Sequence, residues 1–348
     1  MANKSELFLF SWGANSHGQL AIGVESEQEV TPQRVDLSFL EAKPAQIVGG
    51  GGHTLILDAN GQVYACGWNS RGQLGVGDEK NRCTFTKLPQ DAFQEKKIKS
   101  LACGWDTSAA VTIDGELFMW GSNQFKQFGN QEIPHSNVPV LISLPEKVST
   151  IAFSLRHVCI LTVDGTLYLS GKSRFIGKTE MGGFMKITED KIAKIATGQH
   201  HVIYLTTSRE IYSRGDNKFN QLSDESLTKF SSEIAELKSG WTHSGFLTNS
   251  EEVFLWGRNS YGQLGQECEK SIATPTKLEL PDKVRELHLG SEHGLCVTKS
   301  GEVFTWGWNE HGNCGNGTTD NVYKPEKVEL PGRCSLAGVG AGFCFCFL

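Results

Sequence analysis

Short apolar runs alternate with turn residues along the whole chain, and the alternation repeats. In His53-Thr-Leu-Ile-Leu-Asp-Ala-Asn60-Gly61-Gln-Val-Tyr-Ala-Cys-Gly67, runs of strand length stand on both sides of Asn-Gly. Asp114-Gly115, Asp164-Gly165 and Ser300-Gly301 hold the same place in later units. Asn-Gly and Asp-Gly accept the positive φ of a tight hairpin turn, so each such segment predicts two antiparallel strands. A polar loop such as Asn69-Ser-Arg-Gly-Gln-Leu-Gly75 comes next. Then a Pro- or charge-bearing stretch leads to another short apolar run, as in Lys147-Val-Ser-Thr-Ile-Ala-Phe153. About four short strands per unit follow.

Two markers count the units. A glycine closing each hairpin recurs as Gly13, Gly67, Gly121, Gly171, Gly215, Gly257 and Gly307, at spacings of 54, 54, 50, 44, 42 and 50. Four of the seven follow a tryptophan: Trp12, Trp120, Trp256 and Trp306. A second marker, Gly-x-x-His, opens each hairpin. His53, His157, His201, His243 and His293 fill its last position, and Thr107 and Phe343 fill it in the other two units. Units of this length with four strands predict an all-β chain, a seven-bladed β-propeller of four-stranded blades spanning residues 1–348 as one domain. Leu7-Phe-Leu-Phe-Ser-Trp12-Gly13 is the second half of a unit and Gly340–Leu348 the first half of one. Together they make one blade and close the ring. The fourth and fifth units should be the least regular, because Lys172-Ser-Arg-Phe-Ile-Gly177 lacks the loop's Asn and Gln and Arg214-Gly215 replaces Trp-Gly.

Composition narrows the function. The 33 Lys+Arg against 39 Asp+Glu give a net charge of −6, and no basic face announces direct nucleic-acid binding. The 39 glycines suit a chain with many tight turns. None of the ten cysteines forms a C-x-x-C pair, no leader-like segment opens the chain, and no apolar run approaches the ~20 residues of a membrane span. Reduced, mostly buried thiols in a monomeric cytoplasmic and/or nuclear protein are expected. Covalent catalysis finds no support. Gly171-Lys172-Ser173 lacks the earlier glycine of a phosphate-binding loop, Thr166 standing in its place, and no nucleophile-base arrangement stands out. One histidine per blade around a ring cannot converge on one metal ion, so neither metal nor cofactor is expected. The histidines are read as structural, each bridging backbone groups at its blade edge.

The combined pattern Gly-x-x-His, Asp-Gly, Trp-Gly-x-Asn-x-x-Gly-Gln-Leu-Gly resembles the regulator of chromosome condensation family over essentially the whole chain. Gly49-Gly-Gly-Gly-His53, Cys103-Gly-Trp-Asp106, Ser239-Gly-Trp-Thr-His243 and Trp306–Thr318 are similar to its secretion-regulating exchange-factor subgroup. The resemblance implies a protein-binding propeller acting on a small GTPase as a guanine nucleotide exchange factor in secretion or vesicle traffic. The alternative is a non-catalytic adaptor, for instance for a vesicle-tethering component. Fold does not decide between them. The family's founding member uses a short β-wedge projecting from the ring, and no unit here exceeds 54 residues to build one.

The same resemblance points to the two variable residues inside Gly-x-x-His, where the founding member carries exchange-critical acidic and histidine side chains. Here they nominate Trp105, Asp106, Arg156, His200, Trp241 and Glu292 as the partner face. Trp105 and Trp241 are expected as exposed anchors, against the plainer expectation that both fold back over the central channel. Asp106 and Glu292 are expected as exposed acids, and the loops around Asn69 and Asn259 are expected on the opposite face.

Overall fold

The computed structural model describes residues 7–89, 91–129, 132–172, 183–222, 225–268 and 270–348. Its 27 strands fall into seven antiparallel sheets. The innermost strands, Pro44–Gly49, Ile98–Cys103, Val148–Phe153, Ile192–Thr197, Ile234–Ser239, Val284–Leu289 and Leu336–Val339, each touch the next, and the last touches the first. That closed circuit is the seven-bladed propeller. The closing blade runs Gln28–Val35, Leu9–Ala14, Phe343–Phe347, Leu336–Val339, with Leu9 opposite Phe347 and Gly13 opposite Phe343. Closure leaves no open sheet edge between first and last blades.

Burial explains the unbroken apolar runs. Each second strand, such as His53–Asp58 or His201–Thr206, is buried along its whole length because neighbouring blades cover both sheet faces. Core clusters therefore lie between blades: Leu55, Val63 and Ala65 pack against Ala110, Phe118 and Trp120 of the next blade. Trp12, Trp120, Trp256 and Trp306 are fully buried. Each indole N–H donates to a loop carbonyl of the preceding unit, on Asn313, Gln73, Gln221 and Gln263 respectively. A buried indole needs such a partner, and the tryptophan thereby ties neighbouring blades together.

Six blades have four strands. The seventh, Ile192–Thr197, His201–Thr206 and Ile211–Gly215, has three among the described residues, and the outer strand of the Gly171 blade is the two-residue Met185–Lys186. These are the two units expected to be least regular. Beyond Ile211–Gly215 the described residues of this unit include the 3-10 segment Glu225–Phe230. Leu227 and Phe230 of that segment pack on Phe246 and Trp256 of the following blade. Most of the irregular Lys172–Gly177 loop lies outside the described residues.

Candidate functional site

The hairpin register decides what shares a face. Each Gly-x-x-His residue stands opposite its marker glycine, as in His53 with Gly67, Thr107 with Gly121, His157 with Gly171 and His293 with Gly307. The carbonyl just before the His position accepts the N–H just after the glycine: Trp68 to Gly52 at 2.7 Å, Ser122 to Asp106 at 2.8 Å, Lys172 to Arg156 at 2.9 Å, Trp308 to Glu292 at 2.8 Å. All seven marker glycines have φ between +85° and +131°, and a Cβ on Gly67 would strike the Gly52 carbonyl oxygen. Only glycine permits that approach without strain.

The chain therefore leaves and re-enters each hairpin at one end. Gly-x-x-His turns and Asn/Gln loops share a face, which corrects the expectation that Asn69 and Asn259 lie opposite. The other face carries the hairpin tips, where Ile113 and Val163 are exposed. The loops are built by their own amides: Asn69 Oδ1 accepts the Leu74 N–H at 2.9 Å and Gln73 Oε1 the Arg71 N–H at 2.9 Å, with Asn259 and Gln263 repeating the pattern.

The five marker histidines are buried, and three of them meet side chains of the neighbouring blade where backbone groups were expected. His53 Nε2 meets Ser108 Oγ at 2.9 Å, His201 Nε2 meets Ser244 Oγ at 3.0 Å and Ser239 Oγ at 2.9 Å, and His293 Nε2 lies 3.4 Å from Cys344 Sγ. Each of these partners belongs to the next blade. Where the motif opens with glycine before a histidine the ring lies against it, and a Cβ on Gly50, Gly198 or Gly290 would collide with the imidazole; Ser154 holds that place before His157. Burial pushes His53, His157, His201 and His293 down to about 3, so these rings are neutral. Among the described residues no group of three or more His, Cys, Asp or Glu side chains could hold a metal ion.

The six nominated residues separate. Trp105 and Trp241 meet over the channel mouth, ring centroids 5.6 Å apart, with Trp105 36% exposed and Trp241 half-buried. They line the mouth with Gly51, Gly104, Leu155 and Ser291. The fold-back over the channel is thus what the structure has, with one indole face left open. Asp106 is half-buried, and burial raises its carboxyl above the usual range, with the Arg71 guanidinium acting the other way. Arg156 is exposed above the Phe125 ring, and His200 is half-buried and interacts electrostatically with His157.

Glu292 is not an exposed acid. It is 7% exposed and accepts from Thr242 Oγ1 at 2.7 Å and from Gln263 Nε2 at 2.7 Å, with His243 Nδ1 at 3.6 Å and Arg258 Nη1 at 3.9 Å. Three blade elements converge on this carboxylate, which locks their junction and is withdrawn from the surface.

Sequence reasoning also passed over the loop residues on this face. The eight tryptophans divide evenly: four are buried in the blades, and the rest, Trp68, Trp105, Trp241 and Trp308, are partly exposed on this one face. Phe125, Phe219 and Tyr261 stand at the fourth position after their marker glycines. That periodicity was a readable signal.

Comparison with known proteins agrees with the fold. The RCC1-like domain matches residues 8–348. The bovine secretion-regulating guanine nucleotide exchange factor is 33% identical over 238 residues, 63% of this chain and 50% of that protein. The ultraviolet-B receptor of Arabidopsis thaliana is 32% identical over 230 residues, 62% of this chain and 51% of the receptor. The chain spans about half the length of these relatives. Yeast Prp20, solved bound to Kap60, superposes with a TM-score of 0.88 at 22% identity, covering 98% of this chain and 88% of that one. Human WBSCR16 superposes at 0.84 and 22% identity, covering 98% of each.

Proposed function

This chain belongs to the RCC1-like domain family, and from that premise we propose that it is a protein-binding propeller that acts on a small GTPase as a guanine nucleotide exchange factor. The site is the Gly-x-x-His face. The observation that carries this reading is the half-open Trp105–Trp241 pair at the channel mouth; Asp106, Arg156 and His200 stand on Gly-x-x-His turns of the same face. A partly exposed tryptophan backed by a second one is a ready hot-spot anchor. The name of the bovine relative suggests secretion as the setting.

Exchange needs no bond chemistry. A surface that binds the nucleotide-free GTPase more tightly than the loaded one weakens nucleotide binding by the same factor. The test is a panel of small GTPases loaded with fluorescent GDP, with nucleotide release followed on adding the propeller. Acceleration with one GTPase, lost in Trp105→Ala, supports exchange; no acceleration anywhere on a complete panel refutes it.

One observation favours the second reading, an adaptor without exchange activity. Among the described residues every strand lies in one of the seven sheets, and no extra hairpin stands out from the ring as a wedge. An adaptor would bind its partner through the same face and leave nucleotide release unchanged.

A further inference from the structure

We infer that the Gly-x-x-His face is a receptor for a carboxylate-rich protein segment, gripped by arginines stacked on aromatic rings. This rests on that face being the partner site and adds the chemistry of what it takes. Arg258 lies between two rings, its guanidinium carbon 4.7 Å from the Phe219 centroid and 4.5 Å from that of Tyr261. Its Nε donates to Ser260 Oγ at 2.7 Å, and Nη1 is 3.9 Å from the buried Glu292 carboxylate. Arg156 rests on Phe125 at 5.0 Å. The rings come from the repeat itself, because the fourth position after the marker glycine is the loop crest. Arg71 occupies the same position in its own unit and is exposed.

A guanidinium over an aromatic plane presents its in-plane N–H groups at the edge; Arg258 directs two of its nitrogens to Ser260 and Glu292, while Arg156 is exposed. Such a guanidinium loses little freedom on binding and offers the paired donors that fit a carboxylate. The acids on this face offer little opposition. Glu292 is committed to Arg258, 3.9 Å away, which leaves Arg156 and Arg71 as the open cations; Asp106 is half-buried and interacts with Arg71, and Glu310 accepts the Trp308 indole N–H at 3.2 Å. Asp216, half-buried, accepts the Lys218 backbone N–H at 3.2 Å, and the Lys218 ammonium sits 5.1 Å over Phe219.

The chain's net charge of −6 selects among anions. A long polyanion or an anionic membrane would meet the whole acidic molecule. A compact acidic segment meets only charges within a Debye length, about 8–10 Å, where the stacked arginines dominate. The Trp105–Trp241 pair supplies the apolar anchor between them.

Fluorescence anisotropy with a labelled glutamate peptide carrying one central leucine tests this on the full chain. The peptide should bind at low salt, and its lysine counterpart, oligothymidine and phosphatidylserine vesicles should each bind at least about tenfold more weakly. Arg71→Glu combined with Arg156→Glu, both at exposed positions and so compatible with folding, should weaken the glutamate peptide at least about tenfold. Arg156→Lys keeps the charge, loses the flat stack and should fall between. The inference is overturned if the glutamate peptide does not bind, if the double variant binds it as well as the wild type, or if oligothymidine or vesicles bind equally tightly. A silent GTPase panel with peptide binding intact would remove the exchange reading alone; failed peptide binding with exchange intact would remove this inference alone.

Discussion

Trp12 and Asn313 are 301 positions apart, and the Trp12 indole N–H donates to the Asn313 carbonyl at 2.9 Å across the seam that closes the ring. Trp12 is fully buried, so Trp12→Ala should cost about 3–5 kcal/mol. Trp12→Phe, which keeps most of the packing and loses the donor, should cost less. Urea unfolding measures both. Removing residues 1–14 deletes the strand beside Phe343–Phe347 and should leave an aggregating chain without a cooperative transition; a soluble, cooperatively folded truncation would contradict the closure argument.

Gly67→Ala should destabilise by about 1–3 kcal/mol, because φ is +99° and the new methyl meets the Gly52 carbonyl oxygen. Gly77 also has a positive φ, +90°, but open space around it. Gly77→Ala should therefore lose only the conformational part. Thermal unfolding of the pair separates steric from conformational cost, and equal losses would show that the carbonyl contact is relaxed away.

The buried histidines predict acid sensitivity. Their folded value of about 3 lies below the ordinary 6.5, so the unfolded chain binds more protons. Stability is then complete above about pH 6.5 and falls as pH drops toward 3. Each histidine contributes a slope of up to about 1.4 kcal/mol per pH unit. His53→Gln should be less stable at pH 7, yet its stability should decline less steeply between pH 6.5 and 5. Denaturant titrations at several pH values check this, and an unchanged slope would mean that His53 is not neutral when folded.

Trp105→Ala should leave the melting temperature within a few degrees and weaken partner binding by at least about 2 kcal/mol. The control belongs on the far face, at Val163, which is 69% exposed on a hairpin tip. If Val163→Ser abolishes binding and Trp105→Ala does not, the partner uses the other end of the ring.

The blade count and the shared closing blade were legible because two independent markers keep step through the chain. Glu292 was not. It occupies the same repeat position as the exposed Arg156, and its burial depends on donors from Thr242 and Gln263 meeting at one junction. Repeat position alone carries no trace of that meeting. The shared face of Asn69 and the Gly-x-x-His turn could have been read, since an antiparallel hairpin returns the chain to its starting end. The histidine partners were half legible: Ser108, Ser244 and Cys344 follow the His position of the next unit where His53, His201 and His293 precede them. Val202 stands at that place after His157, so the rule does not hold at every junction.

The closing blade also sets a timetable. Leu9–Ala14 leaves the ribosome some three hundred residues before its neighbour Phe343–Phe347. At ordinary translation speeds that is a wait of roughly 15–60 s, during which Gln28–Val35 can cover one edge of the ribbon while the edge meant for Phe343–Phe347 stays open. Six sheets can assemble in order as they emerge; the seventh waits for the far end. Newly made molecules are therefore most vulnerable to pairing with one another at Leu9–Ala14, and a chaperone that shields this stretch would protect the product more than one acting anywhere else on the nascent chain.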